Sequence, residues 1–321
     1  MTRNIRNGAH DMTNEFLNLS RRQALALAGA AGAAALSPAF PAFAQAALLA
    51  RKIPSTGEML PSVGIGTAII FDFENDKEKF DMRASVLNML VAGGGKLVDT
   101  APSYGQAEAR LGDLFAAANL RDKIFLATKV RVNNAEATTA EMKASFAKLK
   151  VEKVDLMQLH NPAKPDQDLA LLREWKKQGL CRYLGISSSF ERDYAAVEEI
   201  VKREKPDFFQ IDYSMVDRNA DERLIPAAQD AGCAVLTNLP FGRGRFFKAT
   251  AGKPLPDIAK EIDATSWAQF GLKWLLGNPA VTAVIPGTDR PEFMTDNLKA
   301  GMGRLPDPDM RKRMLQIFEN L

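Results

Sequence analysis

Lys96-Leu97-Val98-Asp99-Thr100 is a short apolar run that ends on a carboxylate, and Tyr104 follows in the next loop. Two later runs have the same form. Ile124-Phe125-Leu126-Ala127-Thr128-Lys129 ends on an amine, and Val154-Asp155-Leu156-Met157-Gln158-Leu159-His160 ends on an imidazole. Runs this short, apolar and rich in branched side chains predict strands buried on both faces, as in a parallel sheet. Ionisable groups at the C-terminal ends of successive parallel strands predict a barrel whose mouth collects them.

Outward from these three runs the pattern continues. Further strands are predicted at residues 63–67, 183–187, 208–211, 234–238 and 283–286. Amphipathic stretches separate them, with Met142, Phe146 and Leu149 on one face, then Leu169, Leu172 and Trp175, then Tyr194, Val197 and Ile200 with Val201. Thr138 or Thr139 is a candidate N-cap, and Gly179 and Gly232 stand where helices should end. Eight strand signals alternating with helices predict a (β/α)8 TIM barrel over residues 45–321. A doubly wound sheet would usually carry a phosphate-binding turn with three spaced glycines, and Gly64-Ile65-Gly66-Thr67 lacks the third. Residues 51–60 predict an N-terminal β-hairpin closing the barrel base, and Met310, Met314, Leu315 and Phe318 predict a C-terminal helix.

The first 44 residues read as a leader. Ser20-Arg21-Arg22-Gln23-Ala24-Leu25 is a twin-arginine pattern, an Ala-rich stretch follows, and Ala42-Phe43-Ala44 offers a small-x-small cleavage site. The expectation is export of the folded protein by the twin-arginine (Tat) machinery to the periplasm. An uncleaved anchor is the alternative, although the apolar stretch falls short of the roughly 20 residues that a membrane span needs. The leader's arginines account for most of the formal net charge of +3. The remaining chain is close to neutral, with no basic tract, and nucleic acid is not an expected partner. His160 is the only histidine after the leader, and Cys181 and Cys233 lie far apart in sequence, so the usual zinc spacings are excluded.

At a barrel mouth Asp99, Tyr104, Lys129 and His160 would converge. A free tyrosine, with a pKa of about 10, is a weak acid near neutrality. A neighbouring ammonium favours the phenolate and is expected to lower that value. A carboxylate beside the lysine keeps it charged, and the imidazole can donate to a carbonyl oxygen. The set suits protonation of an oxygen on which negative charge develops. None of the four can supply electrons, so a reduction requires a hydride-carrying cofactor.

These residues resemble the aldo/keto reductase family. Asp99-Thr100-Ala101-Pro102-Ser103-Tyr104-Gly105 with Glu108 resembles its Asp/Tyr signature, Thr128-Lys129 its lysine motif, and Asp155-Leu156 through Leu159-His160 its histidine strand. Gly185-Ile186-Ser187, Gln210 and Ile285-Pro286-Gly287-Thr288 are similar in order and spacing. The resemblance implies NADP(H)-dependent interconversion of carbonyls and alcohols, with Tyr104 as proton donor, Lys129 and Asp99 tuning it, and His160 orienting a small-molecule carbonyl. It also implies cofactor contacts at Gly66, Thr67, Asp99, Ser187, Ser188, Gln210, Asn238, Pro240, Phe241, Gly242, Arg243, Pro286, Gly287, Thr288, Arg290, Asp296 and Asn297. Ser188 stands where the family usually has Asn, and Asn238 where an aromatic commonly stacks on the nicotinamide. Gly287 and Phe293 replace a Lys and an Arg that help hold the 2′-phosphate, so NAD is the alternative to NADP. Two other functions are compatible with the same chain: a non-catalytic nucleotide-binding or sensing module, and a Schiff-base lyase using Lys129. The stretch 69–73 and Phe241 suggest an apolar mouth and a hydrophobic or aromatic carbonyl.

Overall fold

The computed structural model describes residues 47–131, 134–162 and 166–321. The leader assigned to residues 1–44 lies outside the described residues.

Eight parallel strands run in sequential order: β3 (Ile65–Gly66), β4 (Leu97–Asp99), β5 (Phe125–Arg131), β6 (Val154–His160), β7 (Cys181–Ser188), β8 (Phe208–Asp212), β9 (Ala234–Asn238) and β10 (Val281–Val284). The ring closes where Val63 bridges Val284 in parallel, with Gly64 N–H donating to Val284 O at 2.9 Å and Val284 N–H to Ser62 O at 2.9 Å. Gly64 permits the close approach of the first barrel strand to the second, because a Cβ there would lie 2.7 Å from Leu97 O. The architecture is the expected (β/α)8 barrel. The last strand begins two residues earlier than expected. Pro286 has no N–H for the ladder, and regular pairing stops before it.

Helices α1 (Lys77–Ala92), α2 (Ala107–Ala118), α3 (Ala135–Leu149), α4 (Asp166–Lys177), α5 (Tyr194–Glu204), α6 (Leu224–Asp230), α7 (Arg245–Thr250), α8 (Trp267–Leu276), α9 (Pro291–Lys299) and α10 (Pro308–Glu319) accompany the strands. Their predicted apolar faces are buried, including Met142 and Leu149, Leu169, Leu172 and Trp175, and Val197, Ile200 and Val201. The N-cap of α3 is Asn134 rather than Thr138 or Thr139. Its Oδ1 accepts Ala137 N–H at 2.9 Å, so the helix starts one turn before the threonines. In the C-terminal helix α10, Met314 is fully buried and Phe318 stacks on Phe246 at 5.1 Å.

The hairpin of β1 (Ala50–Lys52) and β2 (Met59–Pro61) closes the bottom. Its Ile53 and Leu60 enter the barrel interior with Leu97, Phe125, Leu156, Tyr183, Phe208 and Ala283. Full burial of such side chains contributes about 1.5–3 kcal/mol each. Thr56 and Glu58 meet the Tyr183 hydroxyl at 2.9 and 2.6 Å, which fixes the plug to β7.

Side chains alternate in and out along each strand, and the inward series change character with height. They run Leu97 to Asp99, Phe125 to Ala127 to Lys129, Leu156 to Gln158 to His160, Phe208 to Gln210 to Asp212, and Ala234 to Leu236 to Asn238. The lower barrel is therefore an apolar core and its C-terminal end a polar floor.

Candidate active site

Asp99 and Lys129 are 2 % and 1 % exposed. The Lys129 ammonium donates to Asp99 Oδ1 and Oδ2 at 2.9 and 2.8 Å, to Thr100 O at 2.9 Å and to Tyr104 Oη at 3.4 Å. Burial alone would lower the Lys129 pKa, but the Asp99 carboxylate outweighs it and holds the group above its ordinary value. An amine that is charged, and whose protons are all engaged, is a poor nucleophile, which disfavours the Schiff-base reading.

Tyr104 is placed by its loop. Its N–H donates to Ala101 O at 3.1 Å, and its carbonyl accepts Ala107 N–H at 3.0 Å, leading the chain into α2. Gly105 has φ +58°, and a Cβ there would lie 2.2 Å from Asp72 Oδ1, the atom that accepts Gln106 N–H at 2.9 Å. Only glycine satisfies both the backbone and the close approach. The Tyr104 and His160 rings meet edge to face with centroids 6.1 Å apart. The four residues read from the strand ends thus share one location.

The phenol departs from expectation in one respect. Burial raises the Tyr104 pKa and Asp99 and Asp212 add to the rise, so the opposing Lys129 charge does not bring it below the ordinary value. Tyr104 is therefore held protonated at neutral pH, with a cation beside the oxygen where negative charge would form.

Burial, aided by the Lys129 and Arg131 charges, depresses the His160 pKa to about 3. The imidazole is neutral in the folded protein, while in the unfolded chain it gains a proton below about pH 6.5. The fold is consequently expected to lose stability through this group as pH falls from about 6.5 towards 3. Denaturant titrations across that window should show a shallower acid loss in His160→Gln; equal slopes would contradict the assignment.

A cleft of about 340 Å3 opens above these groups. Of the expected site residues, Gly66, Thr67, Asp99, Tyr104, His160, Asn238, Pro240, Arg243 and Gly287 line it. Lys129, Ser187, Ser188 and Gln210 are buried and do not belong to its lining. Gln210 is bonded to Asp99, Gln158 and Asn238, and Ser187 Oγ donates to Leu159 O at 3.4 Å. Phe241 packs on Phe247 and Phe246 at 4.5 and 5.9 Å, with Gly242 buried beside it. Pro286 is buried. Thr288 Oγ1 accepts Arg290 N–H at 3.3 Å, and the exposed Arg290 guanidinium lies over Phe293 at 5.5 Å. Asp296 ties α9 to α8, accepting from Ser266 Oγ and Gln269 Nε2 at 2.6 Å each. Asn297 is buried within α9.

The mouth is mixed rather than apolar. Phe71 and Phe73 are buried and Phe241 is absent from the lining, leaving Ile69, Phe190 and Leu239 together with Asn161, Ser189, Asp212 and Arg243. Asp212 ends β8, one residue beyond the predicted strand. The signal that singled out Asp99, a carboxylate closing an apolar run, would have found it. Ile69, Asn161, Leu239 and Arg243 all have positive φ, and a β-branched residue at φ 69° is an outlier of the kind that concentrates at functional sites.

A closed parallel barrel with a buried ammonium–carboxylate pair, a protonated phenol and a neutral imidazole at its C-terminal mouth defines a barrel enzyme equipped to protonate a substrate oxygen. The Aldo/keto reductase family profile matches residues 62–313. The oxidoreductase YqkF of Bacillus subtilis, named as uncharacterised, is 26% identical, covering 79% of this chain and 91% of its own. The methylglyoxal reductase DkgB of Escherichia coli O157:H7 is 28% identical, over 75% of this chain and 87% of its own. Among solved structures, the thermostable aldo-keto reductase Tm1743, in complex with epalrestat, is 26% identical with a TM-score of 0.69, covering 84% of this chain and 100% of its own. An aldo-keto reductase from Klebsiella pneumoniae in complex with NADPH shares the fold, with a TM-score of 0.68 at 21% identity over 82% and 92% of the two chains. The chain belongs to the aldo/keto reductase family. It is an NAD(P)H-dependent oxidoreductase interconverting carbonyls and alcohols.

Proposed function

We propose that the cleft binds NADPH and that Tyr104, Lys129, Asp99 and His160 carry out the reduction of an aldehyde or ketone in it. The observation that carries this reading is the protonated Tyr104 hydroxyl, 3.4 Å from a buried Lys129 ammonium and open to the cleft. The site suits a nicotinamide nucleotide. Gly66, Thr67, Asn238, Arg243 and the exposed Gly287 give the cleft a polar, open lining between the first and last barrel strands. The Ser188 hydroxyl is buried without a partner at the end of β7. The unpartnered Ser188 hydroxyl would hold the nicotinamide end, with Ser187 and Gln210 buried beside it, Gly66, Thr67, Asn238, Pro240, Arg243 and Gly287 around it, and Thr288, Arg290 and Asn297 towards the phosphate end. Bound there, the nucleotide supplies the hydride for the carbonyl carbon.

The chain's own groups govern the oxygen. The neutral His160 orients the carbonyl by donating a hydrogen bond. Tyr104 gives up its proton to the oxygen, and the Lys129 charge stabilises the phenolate left behind. Asp99 keeps Lys129 charged and in place. Purified protein should oxidise NADPH when methylglyoxal or an aromatic aldehyde is added, and tighter binding of NADH than NADPH would reverse the cofactor preference. The absence of carbonyl-dependent oxidation with either nucleotide, despite binding, would favour the sensing module.

The leader supports export in the folded state by the twin-arginine route to the periplasm. Fractionation should find the wild type outside the cytoplasm and an Arg21→Lys/Arg22→Lys variant inside it; identical distributions would remove this reading.

A further inference from the structure

We propose that Gln158 is a positioning residue for the reaction: with Gln210 and Asn238 it forms a directional chain of amides that fixes the Asp99 carboxylate against the Lys129 ammonium. The inference deepens the carbonyl-reductase reading and rests on it.

Gln158 is fully buried, one inward step below His160 on β6. Its Nε2 donates to Asp99 Oδ1 at 3.4 Å and to Gln210 Oε1 at 2.6 Å. Gln210 Nε2 in turn donates to Asp99 Oδ2 at 3.3 Å and to Asn238 Oδ1. Asn238 is hydrogen-bonded to Asp212, whose Oδ1 also accepts Ser189 Oγ at 2.9 Å. Each Asp99 oxygen thus receives one ammonium proton and one amide proton. The amides run from donor to acceptor in one sense, from β6 to β8 to β9, and such chains polarise one another.

The chain depends on two features of this sequence. Asn238 occupies the position where the family commonly has an aromatic, and a phenyl ring there could not accept from Gln210. Gly185 leaves room for the amide, because a Cβ at that position would lie 3.0 Å from Gln158 Cγ. Gln158 Oε1 has no hydrogen-bond partner. A buried acceptor without a partner is a cost that an apolar side chain of similar length, such as methionine, would avoid. The polar side chain is therefore retained for its donor end, which faces the carboxylate.

Steady-state kinetics with NADPH and 4-nitrobenzaldehyde from pH 5 to 11.5 test this on wild type, Gln158→Leu, Gln158→Glu and Tyr104→Phe. The charged or titratable groups around the pair are Asp99, Lys129, Tyr104, His160, Arg131 and Asp212. Gln158→Leu should lower kcat about tenfold, the scale of one hydrogen bond to a charged group. KM should stay near wild type, and the basic limb should move to lower pH as Asp99 holds the ammonium less firmly. Gln158→Glu places an acceptor against two acceptors. Its loss should be deeper at neutral pH and recover in part as pH falls and the protonated carboxyl donates again. A purely structural role would not give that recovery.

Without substrate or nucleotide, the 15Nζ resonance of Lys129 should titrate at lower pH in Gln158→Leu than in wild type. Gln158→Met serves if the leucine variant does not fold. Wild-type kcat, pH profile and Lys129 titration in Gln158→Leu would overturn the proposal while leaving the site intact. Full activity in Tyr104→Phe would instead overturn the site reading on which it rests.

Discussion

Tyr104→Phe is expected to lower kcat/KM for carbonyl reduction by about 10²–10⁴-fold, the usual contribution of a positioned general acid. The substitution removes one oxygen and leaves the ring, whose edge-to-face contact with His160 and packing against the core persist. No backbone hydrogen bond of the loop uses the hydroxyl, and Gly105 and Asp72 still hold its course. The Lys129 ammonium retains Asp99 and Thr100 O. Nucleotide affinity measured by fluorescence quenching should therefore match wild type within about twofold, a difference of roughly 0.4 kcal/mol. A variant as fast as wild type would remove the phenol from the chemistry.

Lys129→Met should abolish turnover and also destabilise the protein by about 3–5 kcal/mol, because it leaves the Asp99 carboxylate buried without its counter-ion. The Gln158 and Gln210 amides still reach that carboxylate, at 3.4 and 3.3 Å, but they carry no net charge. Adding Asp99→Leu to Lys129→Met should restore much of the lost stability and none of the activity, since replacing both members of a buried pair by apolar groups is often neutral or stabilising. Chemical denaturation of the two variants and wild type distinguishes the cases. A single variant as stable as wild type would show that the pair is not desolvated as the geometry indicates.

The barrel was legible because buried parallel strands leave a strong local signal. The run ending on His160 was read with both boundaries, and the residues closing three consecutive strands gave most of the site. What escaped depended on height within the barrel and on loop paths. Gln158 sits mid-strand between Met157 and Leu159, and only the ring of neighbouring strands shows that it faces a carboxylate. Asp212 lay one residue past the predicted end of its strand. The phenol's raised pKa is a balance between burial and the charges on Lys129, Asp99 and Asp212, and sequence spacing gives neither distance nor desolvation. The packing of the Phe241 ring on Phe246 and Phe247, from the loop assigned to the cofactor on resemblance, also could not be read from spacing. The cap of α3 was misassigned because Asn134, a better cap than threonine, precedes it by four residues.

The central claim is that the substrate oxygen is received between Tyr104 and His160. The most direct measurement is a crystal structure of the protein with NADP and a carboxylate or aldehyde analogue. The account predicts one ligand oxygen within hydrogen-bonding distance of both the Tyr104 hydroxyl and a His160 ring nitrogen. An analogue bound productively elsewhere in the cleft, with Tyr104 turned away from Lys129, would contradict it.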